Sequence, residues 1–269
     1  MAQRRHAARI VLDERKVPKA GLMQAQGLPS RTGADFNACA PHSLEAIASN
    51  GRTNGGGHDV IIGFDELPDA DLIPGAIYEA GPQNNLGADP LARLLPVGNQ
   101  GGIRFNGPAR SPRLVVLKTN WVEPEWPDHF DPRSGVLSYF GDNRRVGSPL
   151  SRPRGNQCLE SQFGHLHAPN SARQAVAPTL AFETLDGRNV RFLGLSAPGV
   201  VGMSPRDDLI AFWSRTPQGE FMNYIARFTV WTETRVARSW LNAVSAGQEP
   251  RHAPDCPIAF AHWIDRGTY

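Results

Sequence analysis

Short β-like segments separated by turn residues constrain the fold of this chain more than any other feature. The clearest are the apolar run at residues 113–118 and two stretches flanking the turn dipeptide Asp186-Gly187, at 179–184 and 190–195. Such a turn between two such stretches predicts an antiparallel hairpin. Short strands leave bare edges unless the sheet curves or closes. The sequence therefore predicts an α+β, mainly β fold, a curved sheet or half-closed barrel with short flanking helices.

Helical patterns are fewer and shorter than the strand patterns. Asp89 followed by Pro90 is typical of a helix start and predicts one or two helical turns. Apolar residues recur at helical spacing from Val236 to Val244, ahead of a stop at Gly247. Further strands are expected at 60–64, 76–78, 103–105, 135–140, 209–213 and 223–231.

Residues 1–57 differ in character from the rest of the chain. They are poorly patterned and end in the Gly- and Asn-rich segment 50–57, which is typical of a linker. The β-like pattern begins immediately afterwards and dominates the remainder. We therefore expect an N-terminal extension over residues 1–57 and one folded domain over residues 58–269.

Composition indicates a water-soluble protein. Hydrophobic residues make up 40% of the chain, the mean hydropathy is -0.37, and no apolar run approaches the roughly 18 residues of a membrane span. The basic N-terminus lacks the apolar core of a secretory signal, so we expect a cytoplasmic location. Cys39, Cys158 and Cys256 are too few and too far apart for a disulfide framework or a paired zinc site.

The segment 121–156 gathers aromatic, acidic and arginine side chains within one loop and one strand. Its prolines at 124, 127 and 132 bias the preceding residues away from helix, which predicts a rigid loop. A base that leaves a DNA duplex needs aromatic faces to replace lost stacking and polar groups for its Watson–Crick edge. Trp126 and Tyr139 are candidates for the faces.

Two acids in this segment are candidates for the edge of a base. A carboxylate accepts from the N4 amino group of cytosine, so either Asp128 or Asp142 fits that role, with Asn143 or backbone amides serving O2. Four arginines follow in a Gly- and Pro-interrupted loop, where salt-dependent phosphate contacts are expected. They are Arg144, Arg145, Arg152 and Arg154.

Signatures of catalysis are scarce. The chain has no GxSxG, no GxxxxGK[ST] and no HExxH motif. An alternative function nevertheless follows from the carboxylates of the same segment, since Asp128, Asp131 and Asp142 are oxygen ligands that a hard cation prefers. Under that alternative the chain is a self-contained metal-dependent nuclease or hydrolase. A third hypothesis is a protein scaffold with no nucleic-acid role.

Five motifs in order resemble one family. They are LIPGAIYEAG (72–81), DPLARLLPVGNQGGIRF (89–105), WPDHFDPRSGVLSYFGDNRRVG (126–147), RGNQCL (154–159) and VRFLGLSAPG (190–199). Together they resemble the amino-terminal, SRA-like recognition domain of modification-dependent restriction endonucleases of the AspBHI and MspJI type. The resemblance implies an SRA-like (PUA-like) curved β-barrel at 58–269 that binds duplex DNA and flips out 5-methylcytosine or 5-hydroxymethylcytosine.

The resemblance also implies residue roles. Asp128 becomes the reader of the Watson–Crick edge, Tyr139 one stacking face and Trp126 the second. Asp142 takes a turn or backbone-orienting role and remains the alternative acid. Groove or phosphate contacts are implied for Asn99, Gln100 and Arg104.

The remaining expectations concern partners and catalysis. The expected partner is double-stranded DNA carrying modified cytosine, with no membrane partner and with self-association through the full-length protein. No cofactor is expected in this chain. A divalent metal is expected only for a nuclease domain beyond residue 269, as part of a type IV restriction endonuclease in a bacterial cytoplasm.

Overall fold

A computed structural model of the chain describes residues 52–53, 60–83, 85–122, 127–168 and 172–269. Most of the predicted N-terminal extension lies outside the described residues, and so does Trp126. The domain boundary predicted at residue 57 stays a prediction, as does the stacking role of Trp126.

Strands form most of the regular structure in the described residues. In chain order they are β1 (Arg52–Thr53), β2 (Val60–Ile62), β3 (Ile77–Tyr78), β4 (Ile103–Asn106), β5 (Leu114–Thr119), β6 (His129–Asp131), β7 (Val136–Phe140), β8 (Thr179–Thr184), β9 (Val190–Pro198), β10 (Leu209–Thr216) and β11 (Gly219–Trp231). The α-helices of the same part of the chain are α1 (Pro90–Leu94), α2 (Arg154–Leu166), α3 (Pro205–Asp208), α4 (Arg238–Ser245) and α5 (Ile258–Arg266). None of these helices is long and apolar enough to cross a membrane.

The strands join in a single branched sheet. One path runs β1-β2-β3-β9-β11-β7-β6, and β10 adds to β11 as an edge strand. A branch continues from β9 through β8 and β5 to β4, with β5 and β8 parallel. Among the described strands no pairing links β4 back to β6, so the sheet stays open. The predicted mainly β fold is confirmed, and its barrel is not closed.

The local signals in the sequence give the expected elements. β8 and β9 form the predicted antiparallel hairpin, and β10 and β11 form a second one. The Asp89 side chain caps α1 by accepting from the Ala92 amide at 2.9 Å, and α4 lies within the predicted helical stretch.

β5 separates two hydrophobic cores. Leu114 and Val116 belong to one core, which contains residues of α1, α4 and α5. Val115 and Leu117 belong to the other, which contains residues of α2 and β7. Because successive side chains of a strand point to opposite faces, a strand covered on both faces is apolar at every position. This explains the uninterrupted apolar run that marks β5 in the sequence.

α2 corrects the sequence-based prediction of a loop followed by strands. Its buried face carries the polar residues Asn156 and Gln162, so the apolar periodicity of a helix is weak. Pro153 at its N-cap position makes no side-chain capping bond. Arg154 is therefore the first residue of a helix, and was wrongly placed in a loop.

Candidate functional site

A cavity of about 330 Å³ lies where strand ends of the open sheet meet. Its volume falls at the lower end of the roughly 300–1,000 Å³ found for small-molecule sites. The lining residues come from the start of β4, the ends of β5, β7 and β8, and the turns beside them. They are Gly101, Gly102, Ile103, Lys118, Thr119, Asn120, Asp128, Tyr139, Phe140, Gly141, Asp142, Arg144 and Thr184.

Asp128 places a carboxylate in this cavity. It immediately precedes β6, and its Oδ1 atom accepts from the Phe140 amide of β7 at 2.9 Å. Burial raises the pKa of Asp128 to about 6, although the Phe140 amide, the Thr119 hydroxyl and the charge of Arg144 each lower it. The fold thus holds the Asp128 carboxylate in a fixed orientation, although burial makes its ionised form unfavourable.

Tyr139 closes one wall of the cavity. Its side chain is 4% exposed, and its hydroxyl donates to the Lys118 carbonyl at 2.9 Å. Gly102 lies against the same hydroxyl, which would be 2.5 Å from a Cβ atom at that position. Only glycine fits there without displacing the ring. Tyr139 thus lines the cavity, and its stacking role stays a prediction.

Asp142 lines the cavity and also caps α2. Its two carboxylate oxygens accept from the Gly155 and Asn156 amides, both at 2.9 Å. In return, the Asn156 side chain accepts from the Asp142 amide at 2.9 Å. A carboxylate at a helix N-terminus satisfies orphan N–H groups and interacts favourably with the helix dipole. The backbone-orienting role expected for Asp142 agrees with these contacts.

Asn143 lies beneath the cavity instead of lining it. Its side chain is almost fully buried, and its Nδ2 atom donates to the Met222 carbonyl at 2.8 Å. Buried Asn223 donates to the Gly141 carbonyl at 2.8 Å. A Cβ atom at Gly141 would lie 2.2 Å from the Asn156 side-chain oxygen. The pocket role predicted for Asn143 is therefore wrong in this structure, because the side chain is used to fix the turn.

Removal of the Asp142 carboxylate, which caps α2, should lower the stability of the protein. We expect Asp142→Ala to lower the free energy of unfolding by about 1–2 kcal/mol, since two amides of α2 lose their acceptor. Urea denaturation at neutral pH measures the change. Asp142→Asn keeps one acceptor and should lose less. Equal stability of Asp142→Ala and wild type would contradict the capping role.

Arg104 is an internal structural residue. It is 3% exposed and bonds Asp89 through two nitrogens, at 2.7 and 2.9 Å. It also donates to the carbonyls of Gly101 and Gly98, at 3.0 and 3.1 Å. The predicted DNA contact of Arg104 is therefore wrong in this structure, because the guanidinium is buried and fixes the loop that leads to Gly102.

The other predicted contact residues differ in exposure. Asn99 is half-buried and donates to the Leu86 carbonyl at 3.1 Å, whereas Gln100 is exposed. Arg145 and Arg152 are exposed in the turns before α2. The Arg154 guanidinium lies 5.1 Å from the centre of the Phe105 ring, a cation–π distance.

Four polar residues of the cavity escaped the sequence-based prediction. Lys118, Thr119 and Asn120 lie at the end of β5, and Thr184 ends β8. The pKa of Lys118 is lowered by burial first and by the charge of Arg104 second. No local signal in the sequence marks these residues, because they meet only through the parallel pairing of β5 and β8, which brings the C-terminal ends of both strands to one edge of the sheet.

The carboxylates of the alternative metal site do not converge. The Asp131 carboxylate accepts hydrogen bonds from the Ser134 hydroxyl at 2.7 Å and from the Arg133 amide at 3.0 Å. The Asp142 carboxylate caps α2. The described residues contain no group of three or more His, Cys, Asp or Glu side chains that could hold a metal ion. The cluster of Asp128, Asp131 and Asp142 predicted by the alternative is therefore not formed.

The fold and the cavity define the class of this protein, a mainly β domain with an acid-lined cavity at the strand ends of an open sheet. Residues 72–269 match the family described as restriction endonuclease AspBHI N-terminal, and the chain belongs to that family. No curated protein matches the chain.

Three solved structures with similar folds are restriction endonucleases or a domain of one. The DNA recognition domain of the cytosine modification-dependent restriction endonuclease LpnPI is 34% identical, with a TM-score of 0.73 over 79% of this chain and 96% of that one. The DNA modification-dependent restriction endonuclease AspBHI is 37% identical, with a TM-score of 0.71 over 78% of this chain. This chain spans 54% of AspBHI. MspJI in complex with a 27-mer oligonucleotide, at 21% identity, shares the fold over 72% of this chain and 51% of that one, with a TM-score of 0.51.

Proposed function

We propose that this chain is the DNA recognition domain of a modification-dependent restriction endonuclease and that its cavity receives a modified cytosine flipped from the duplex. The observation that carries the proposal is the Asp128 carboxylate, held in the cavity by the Phe140 amide at 2.9 Å. Family membership and the LpnPI recognition domain support it. Expected modifications are 5-methylcytosine and 5-hydroxymethylcytosine.

The chemistry of cytosine fits this carboxylate. Its Watson–Crick edge carries the N4 amino group, a donor that an ionised carboxylate accepts from. Since one Asp128 oxygen is occupied by the Phe140 amide, the other is assigned to the base. Tyr139 supplies part of the wall, and stacking by Trp126 on the opposite face remains part of the proposal. Asn120 and Thr184 offer further polar groups within the same cavity.

Binding to matched duplexes tests this proposal. Fluorescence anisotropy would compare oligonucleotides that differ only in one base, carrying cytosine, 5-methylcytosine or 5-hydroxymethylcytosine. A 2-aminopurine opposite the target base reports loss of stacking when the target leaves the helix. We expect tighter binding to modified duplexes together with a fluorescence rise. Equal affinity for all three duplexes would overturn the proposal.

Exposed arginines next to the cavity should act on the phosphate backbone. We expect Arg145→Ala and Arg152→Ala to weaken binding to modified and unmodified duplexes alike. Each substitution should also reduce the slope of log affinity against log salt concentration by about 1. Affinity measured over a series of salt concentrations gives both quantities. Arg206→Ala on α3, an exposed arginine beyond the C-terminal end of α2, is the matched control and should change neither. A loss confined to modified DNA would contradict the phosphate role.

Cleavage is a proposal for the full-length enzyme. We assign it to a nuclease domain outside the 269 residues, together with the divalent metal and the self-association that cleavage of two strands favours. The bacterial cytoplasm is the proposed location. No contact in the described residues favours the alternative of a self-contained nuclease.

A further inference from the structure

Three buried asparagines meet beneath the cavity, each from a different part of the chain. Asn143 follows β7, Asn156 lies in the first turn of α2, and Asn223 belongs to β11. All three are 1% exposed or less. Burial of a polar side chain is unfavourable unless the side chain is hydrogen-bonded. The partners of these side chains therefore show what the cluster stabilises.

Asn223 holds the cavity turn, defined as residues 141–143. Its Nδ2 atom donates to the Gly141 carbonyl at 2.8 Å, and its Oδ1 atom accepts from the Asn143 amide at 3.3 Å. The Gly141 amide donates to the carbonyl of Tyr224, the next residue of β11, at 2.9 Å. Because Gly141 lines the cavity, β11 fixes part of the cavity wall.

Asn156 joins the cavity turn to the arginine turns, defined as residues 144–153. Its Oδ1 atom accepts from the Asp142 amide at 2.9 Å. Its Nδ2 atom donates to the Leu150 carbonyl at 2.8 Å and to the Asn223 Oδ1 atom at 3.2 Å. One side chain thus bonds to the cavity turn, to the arginine turns and to β11.

Two further side chains bond to the backbone of the arginine turns. Gln157 of α2 donates to the carbonyls of Ser151 and Arg152, at 3.0 and 3.2 Å. Asn143 of the cavity turn donates to the Ser148 carbonyl at 3.4 Å. The arginine turns are therefore attached both to the start of α2 and to the cavity turn.

We infer that Asn156 and Asn223 are positioning residues that fix the distance and orientation between the cavity turn and the arginine turns. Neither side chain lines the cavity, so their effect passes through the two turns. The attachment belongs to the free protein, and its consequence for binding rests on the proposed function. A flipped base in the cavity and the phosphates beside it are contacted together only if the turns keep one relative position.

Backbone mobility in the DNA-free 269-residue protein tests the attachment. Leucine has a shape similar to asparagine but offers no donor or acceptor. Order parameters from ¹⁵N relaxation should be about 0.85 in both turns of the wild type and below about 0.6 in the arginine turns of Asn156→Leu. Asn223→Leu should lower the order parameters of the cavity turn and, through Asn156, those of the arginine turns by a smaller amount.

Affinities for the matched duplexes test the consequence for binding. We expect Asn156→Leu to reduce the preference for modified duplex by roughly tenfold, because lost preorganisation lowers affinity where both turns must make contact at once. Unmodified duplex should be bound through its phosphates alone, so its affinity should change less. Fluorescence anisotropy measures both affinities at a temperature where circular dichroism shows that every variant is folded.

Gln162→Leu is the matched control for loss of stability. Gln162 is another buried polar residue of α2, and its Oε1 atom accepts from the Ala177 amide at 2.8 Å. Ala177 precedes β8, whose opposite end lines the cavity. We expect this variant to be less stable than wild type, with unchanged order parameters in both turns and an unchanged preference for modified duplex.

Smaller substitutions keep the test valid if the leucine variants fail to fold. Asn156→Ala and Asn223→Ala leave space for water to bond the backbone groups that lose their partners. They should loosen the same turns and reduce the same preference, with Gln162→Ala as their control.

Three outcomes would overturn the inference. One is a set of wild-type order parameters in the arginine turns of Asn156→Leu. Another is an unchanged preference for modified duplex in Asn156→Leu, although its turns are loosened and the wild type shows the preference. The third is an equal effect of Gln162→Leu on both quantities, which would assign them to lost stability alone. Loosened turns, in a protein whose wild type binds all duplexes equally, would uphold the attachment and reject the proposed function.

Discussion

Asp128→Ala is expected to lower affinity for modified duplex about 10- to 100-fold, the range for losing a good contact to a base edge. Binding to unmodified duplex should change far less, because the phosphate contacts remain. The cost arises because the N4 amino group of the base would enter a partly buried site without an acceptor. Fluorescence anisotropy with the matched duplexes measures both affinities and hence their ratio.

Asp131→Ala is the matched control for this experiment. Asp131 lies three residues further along the chain and is bonded within its own turn, to Ser134 and Arg133. Its removal changes the net charge by the same amount as Asp128→Ala, so it separates charge from position. We expect it to leave the preference for modified DNA intact. Wild-type selectivity in Asp128→Ala, or an equal loss in both variants, would show that Asp128 does not read the base.

The parts of the fold that the sequence predicts depend on local signals. The apolar run of β5, the Asp186-Gly187 turn between β8 and β9, and the Asp89 cap of α1 each involve residues close together in the chain. α2 could not be predicted in this way. Its cap comes from Asp142, 13 residues before Gly155, and its buried polar residues bond to groups outside the helix, as Gln162 does with the Ala177 amide at 2.8 Å.

The site was predictable to the extent that one segment contributes to it. Asp128, Tyr139, Asp142 and Arg144 come from the segment 121–156 and line the cavity. Arg104 was misjudged because its partner Asp89 lies 15 residues away, and an arginine in a Gly-rich loop carries no local sign of burial. Residues of β5 and β8 reach the cavity only through the pairing of those strands, which periodicity does not reveal.

Asp128 should also reduce the stability of the free protein at neutral pH. Its pKa of about 6 in the folded state exceeds the roughly 3.9 of an unfolded chain. Between those values the folded state binds more protons than the unfolded state, so stability falls as pH rises from about 4 to 6. Above pH 6 the penalty is complete, at roughly 3 kcal/mol for a shift of about two units.

Asp128→Asn removes this penalty while keeping an oxygen for the Phe140 amide. We expect the variant to be more stable than wild type at pH 8, by up to about 3 kcal/mol. The difference should shrink towards zero near pH 4, where both forms are neutral. Urea denaturation at a series of pH values measures it, with Asp131→Asn as the control that should gain no stability. An Asp128→Asn protein no more stable than wild type at pH 8 would show that burial of the charge is not costly.

Selectivity for modified DNA should respond to Asp128→Asn and to pH in the direction opposite to stability. The amide nitrogen of Asp128→Asn would oppose the N4 amino donor, so selectivity for modified DNA should fall as stability rises. In the wild type, selectivity should decline as pH falls through about 6, because protonation removes the acceptor. Asp128→Asn should lack this pH dependence. A carboxylate that costs stability and supplies selectivity is the trade-off expected of a functional residue, whereas a structural acid would be stabilising in its ionised form.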